Sequence, residues 1–184
     1  MLPSTKLQFS RSSNLLGAFV IAVHDQMLER IESELGLGGQ AAAALVVIGF
    51  NQGRSVDFLS GALQLSHSGC VRVVDKLEQA GLVQRREGKD RRVVALHLSA
   101  AGQRRMQVVL RTRSKYLDGL MQSLDARQQQ QFTAMIETLL YDITTCSEHA
   151  EAMCRYCDEA VCPQKQCCPA LNGLTCRWPW VSTA

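Results

Sequence analysis

At 184 residues, 46% of them hydrophobic, the chain is long enough for one good core with a small appendage. An aromatic content of 5% and a formal charge of +3 suit a soluble globular protein, helix-rich rather than all-β. The opening MLPSTKLQFSRSSN has no compact apolar run of the signal-peptide kind and ALVVIGF is too short to span a bilayer, so the expectation is a cytoplasmic protein without membrane contact.

The spacing of apolar residues predicts a first amphipathic helix over 12–35, capped by Ser12 or Ser13, with Leu16, Phe19, Val20, Val23, Met27, Ile31 and Leu35 on one stripe. GLGGQ ends it, with Gly36 placed for a left-handed cap. A second helix starts at Ala41 and stops near Gly53. Ser55 caps a short third one, with Phe58, Leu59, Ala62 and Leu63 turned inward. Ser66 caps a fourth helix over 67–80, closed by Gly81, whose inner face is Cys70, Val73, Val74 and Leu77. LVQRRE and RRVVALHL then have strand-like content and flank the turn GKD, which predicts a two-stranded hairpin. Ser99 caps a long helix to about Leu124, with Met106, Val109, Leu110, Leu117, Leu120 and Leu124 on a stripe. Asp125 caps another, which repeats Phe132, Met135, Ile136, Leu139, Leu140 and Ile143.

Charge is unevenly placed along this plan. Between positions 66 and 115 there are twelve Lys and Arg against four Asp and Glu, so a basic middle lies between acidic flanks. Two short helices joined by a tight turn, followed by a basic hairpin, describe a winged helix-turn-helix. Its second helix would enter the major groove and present Ser66, His67, Ser68 and Gly69 first, then Val71, Arg72, Asp75 and Lys76. Gly69 would allow close backbone approach, and Val71 a contact with a thymine methyl. Arg85, Arg86, Lys89, Arg91 and Arg92 would form a wing for the minor groove, with Asp90 paired to Arg92 to stiffen it.

Here the run LSHSGCVRVVDKLEQAGLVQRREGKDRRVVALHLSAAGQRRM resembles the MarR (multiple antibiotic resistance regulator) family of bacterial repressors. The matching pieces are the recognition helix leading into LEQAGLVQRRE, the DRR wing element, and the LSAAG that opens the next helix. A weaker likeness extends over 12–146. The resemblance implies a mainly α fold with a small β-hairpin wing, and a homodimer whose first and last helices interlock. It also implies a pocket for small aromatic effectors. The implied organisation is a helical dimerisation region over 1–40 and 100–150, a winged helix-turn-helix lobe over 41–99 and a cysteine-rich tail over 151–184. Wide apolar faces on long helices that have no intrachain partner agree with a dimer. Gly69-Cys70 departs from the small polar and β-branched residues common in the family, which leaves the operator sequence open. The partner is then a pseudo-palindromic double-stranded DNA operator, and no enzymatic activity is expected.

The tail departs from the family pattern. Cys154, Cys157, Cys162 and Cys167 follow C-x2-C-x4-C-x4-C, with Cys168 beside the last and Cys176 a possible spare. Four thiolates this close suit a soft metal, and the expected cofactor is an iron–sulfur cluster or zinc, with iron–sulfur ahead because a repressor needs an input. Cys70 reads as core packing, with a redox thiol as the alternative. His24, His97 and His149 read as structural or surface residues. The rivals are a thiol–disulfide switch without metal, a thiol or metal oxidoreductase, for which no acid–base set is present, and a zinc-knuckle RNA-binding module with Tyr156 as its stacking aromatic.

Overall fold

The computed structural model describes residues 10–88 and 94–162. The elements are α1 (Arg11–Leu35), α2 (Gly39–Phe50), α3 (Val56–Leu63), α4 (His67–Gln79), β1 (Val83–Glu87), β2 (Val94–Leu98), α5 (Ala100–Met121), α6 (Ala126–Ile143) and α7 (Ser147–Met153). This is a mainly α fold with a two-stranded wing.

α1 begins one residue earlier than its stripe suggests, because Ser10 caps it by accepting the Ser13 N–H. Gly36 ends it at φ 67°, a left-handed conformation that glycine adopts without steric cost. α2 starts at Gly39, not Ala41, and ends at Phe50. Its residues Ala42 to Ile48 are all buried, so it is apolar on every side and forms the axis of the core. Around it pack Ile31 and Leu35 of α1, Leu59 and Leu63 of α3, Val74 and Leu77 of α4, and Val109 of α5.

Ser55 and Ser66 cap α3 and α4 as expected, accepting from Phe58 N and Gly69 N. β1 and β2 pair antiparallel from Val83↔Leu98 to Glu87↔Val94. Backbone bonds from Gly53 N to Leu96 O and from Leu96 N to Arg54 O tie the loop before α3 to β2, so the wing is fixed to the helix-turn-helix. Ser99 accepts from Gly102 N at 3.0 Å and donates to Gly81 O at 2.7 Å, which locks α5 to the end of α4. At Gly102 a Cβ would overlap the Leu82 carbonyl oxygen, so the junction admits only glycine.

α5 ends at Met121 rather than at Leu124, and Asp125 opens α6 with a capping box that includes Gln128. Within one chain α6 buries no residue. Leu15, Leu16, Phe19, Val20 and Ile21 of α1 and Met135, Leu139, Tyr141 and Ile143 of α6 all remain exposed. No single helix among the described residues is long and apolar enough to cross a membrane.

The chain then departs from the sequence-based plan. α7, which spacing did not reveal, packs against α3. The cysteine segment is therefore not a free extension of a dimerisation helix. As far as residue 162 it lies along the winged lobe.

Candidate nucleic-acid interface and cysteine site

α4 turns Cys70, Val74 and Leu77 inward and leaves His67, Ser68, Arg72 and Lys76 exposed, with Gly69 and Val71 half-buried. Ser66 is exposed, yet its hydroxyl is used in the cap. His67 Nδ1 hydrogen-bonds Asp57 Oδ1 at 2.7 Å, a contact that staples α3 to the first turn of α4. Arg72 and Lys76 thus remain as exposed cations one turn apart on the outer face.

Arg85 needs a correction. Its guanidinium does not extend into solvent: it donates to Asp75 at 2.6 Å and to Glu78. Burial works against its charge, but hydrogen bonds and attraction from these two carboxylates raise its pKa above the ordinary value. Arg85 is a strut between the wing and α4, and Asp75 is its partner rather than part of an open face. Arg86 is exposed and donates to Gln84 at 2.8 Å. Lys89, Arg91, Arg92 and the expected Asp90–Arg92 pair lie outside the described residues.

Behind this face, residues 154–162 close over α2 and α3. Tyr156, only 8% exposed, donates its phenolic proton to Gly39 O at 2.6 Å. Burial raises its pKa, an effect that Arg155 opposes and Glu32 reinforces. At the other end of α2, Asn51 Nδ2 donates to Glu159 Oε1 at 3.2 Å. The segment therefore grips both ends of the central helix. A ring buried in this way has no face to offer a base, which removes the aromatic that the RNA-knuckle reading relied on.

A cavity of about 90 Å³ lies beneath the segment, and Cys154, Cys157 and Cys162 line it with Val47, Phe58 and Ala62 of the lobe. Cys157 is pulled down from 9.0 to about 6, first by its hydrogen bond with Cys154 and against the effect of burial, with further help from the positive charge of Arg113. Arg113 Nη2 donates to Cys157 Sγ at 3.6 Å. Among the described residues no three Cys, His, Asp or Glu are gathered into a metal-holding group. Of the four expected ligands three share the cavity; Cys167, its neighbour Cys168 and also Cys176 lie outside the described residues. Cys146, at the start of α7, is fully buried and apart from that set.

Residues 35–93 match the MarR family model. That stretch of the chain is similar to the MarR family. That lobe and the long helices resemble solved structures over most of their length. FabT of Streptococcus pneumoniae in complex with DNA is 16% identical, with a TM-score of 0.60 over 69% of this chain and 94% of that one. YusO of Bacillus subtilis is 22% identical, with a TM-score of 0.59 over 71% and 97%. A MepR mutant of S. aureus bound to an oligodeoxyribonucleotide is 17% identical, with a TM-score of 0.55 over 74% and 99%. At these identities the likeness is one of fold. A search of curated proteins finds no match.

Sequence reasoning placed α4 and the wing but missed Arg113 and Glu159 at the cysteine site. Arg113 was one basic residue among twelve between positions 66 and 115, and no pattern distinguished it. For α7 there was a faint signal: the β-branched pair Thr144-Thr145 stops α6, and Glu148 favours a new first turn.

Proposed function

We propose that this protein is a homodimeric MarR-type transcriptional regulator, a repressor that binds double-stranded DNA and carries a soft-metal site in its cysteine segment. The observation that carries DNA binding is the capped α4, whose Arg72 and Lys76 project from a helix held in place by α3 and the wing. Ser66, His67, Ser68, Gly69 and Val71 belong to the same surface, and Arg86 with Lys89, Arg91 and Arg92 would supply the wing contacts. Apolar side chains on α1 and α6 that one chain leaves uncovered support pairing of two copies, and a pseudo-palindromic operator then has half-sites about one helical turn apart.

The test is a gel-shift series across salt concentrations. Arg72→Ala should cost about 1–3 kcal/mol of specific affinity, and Arg91→Ala should weaken all sequences alike and lower the salt slope by about 1. Full affinity in both variants overturns the reading.

For the cysteines, three thiols at one small cavity, two of them hydrogen-bonded together, favour a metal or cluster that Cys154, Cys157 and Cys162 hold with Cys167 or Cys168. Bound there, an iron–sulfur cluster would supply redox sensitivity, whereas zinc would only pin the segment. Anaerobic purification with metal and sulfide analysis separates the two, and absence of any metal favours the thiol–disulfide alternative. The signal would reach DNA by a different route from the one the sequence suggested, because the segment rests on α2 and α3 and meets α5 through Arg113. Induction by a small aromatic ligand remains a separate second input.

A further inference from the structure

Asp57 stands exposed in the first turn of α3, which Ser55 caps. Its Oδ1 lies 2.7 Å from Nδ1 of His67, the first residue of α4. Among the described residues this carboxylate has no Lys or Arg partner. An ionised carboxylate only accepts, so Nδ1 of His67 is the donor, and the neutral ring then carries its lone pair on Nε2. The bond fixes the direction of the ring, and the Ser66 cap on Gly69 N fixes the turn that carries it. A carboxylate beside a DNA-reading turn repels phosphates, so its place on this face calls for a role other than backbone attraction.

We propose that His67 reads one base in the major groove as a hydrogen-bond acceptor through Nε2, with Asp57 as the positioning residue that sets its tautomer and direction. This rests on the DNA-binding reading given above and gives it a base chemistry. Adenine N6 and cytosine N4 donate in the major groove, whereas guanine O6 and thymine O4 accept. An acceptor at Nε2 therefore selects adenine or cytosine on the strand it touches. At guanine or thymine it meets a second acceptor with no proton between them. Orienting the ring before DNA arrives also removes part of the cost of ordering that side chain on binding. Arg72, an exposed donor on the same helix, has the opposite preference, for guanine.

The experiment is a selection by the full chain from a pool of random-sequence duplexes, at a pH of about 8, above the ordinary imidazole range. Wild type should enrich one position per half-site for adenine or cytosine, and His67→Ala should lose that preference there alone. Asp57→Asn keeps the shape, but its amide also donates to Nδ1 and so moves the ring proton to Nε2; guanine and thymine should then enter at the same position. On duplexes that differ only there, wild type should discriminate about 2- to 10-fold, the worth of one hydrogen bond, and Asp57→Asn less than about 2-fold. The salt slope should stay unchanged, because no phosphate contact is lost. Circular dichroism checks each fold, and Asp57→Ala, which frees the ring, replaces the Asn variant if that chain fails to fold. A merely structural Asp57 would weaken all sequences alike. That result, a wild-type preference for guanine or thymine at the position that depends on His67, or an unchanged preference in the folded Asp57 variants would overturn the proposal and leave DNA binding standing. Failure of wild type to enrich any duplex would overturn the DNA-binding reading and this assignment with it.

Discussion

Cys70 in the lobe and Cys157 in the segment behind it meet opposite surroundings. Cys70 is fully buried on the inner face of α4, donates to Val56 O at 3.7 Å, and is pushed up to about 11 by burial and then by the Asp57 carboxylate. Cys157 is pulled down to about 6 by its bond to Cys154 with help from Arg113. The first thiol serves as a small apolar side chain, whereas the surroundings of the second favour its thiolate form. The same difference separates the two regions as wholes. The lobe is held by a continuous apolar core around α2, whereas the segment is tied down through Tyr156, Glu159 and Cys157. A region with few buried apolar side chains opens more easily than the core it rests on, so docking of the segment is separable from folding of the lobe.

The largest expected effect tests the lobe. Gly102→Val drives a side chain into the Leu82 carbonyl and should cost about 3 kcal/mol in urea unfolding, with the segment lost as a consequence. Tyr156→Phe removes the phenolic donor to Gly39 O, a carbonyl that keeps its place in the α2 ladder, at a cost of about 1 kcal/mol. Hydrogen exchange should show this loss in residues 147–162 with the lobe's unfolding midpoint unchanged; a fall in the global midpoint would mean that the two regions are one cooperative unit. Asn51→Ala cuts the second tether and should loosen the same residues by about 0.5–1 kcal/mol.

The smallest effect is a slope with pH. The folded Cys70 pKa lies above its ordinary 9.0, at about 11. Between those values the unfolded chain loses a proton that the folded chain keeps, so stability is fully present below about 9 and declines as pH rises toward about 11. Cys70→Val should flatten that decline, and an unchanged slope would place its origin elsewhere.

Much of the lobe was legible because its signals are local. Ser55, Ser66, Ser99 and Asp125 each sit where a cap was read, and each accepts the N–H that defines one. The inward residues of α4 followed from three- and four-residue spacing. Arg85 was misread for the converse reason: a basic residue in a basic hairpin looks solvent-directed until the register of β1 brings it beside Asp75 and Glu78 of α4. The exposure of α1 and α6 was visible as an unpartnered stripe, and one chain of the structure leaves it uncovered.

By itself the sequence determined the order of the first six helices, the caps of α3 to α6 and the hairpin, since each depends on residues within a turn or two of one another. Only the tertiary structure decided where the cysteines go. Tyr156 reaches Gly39 across 117 positions, Glu159 reaches Asn51 across 108, and Cys157 receives Arg113 across 44. Such contacts leave no periodicity in the chain, because they form only when the apolar core has already brought α2, α3 and α5 together beneath the segment.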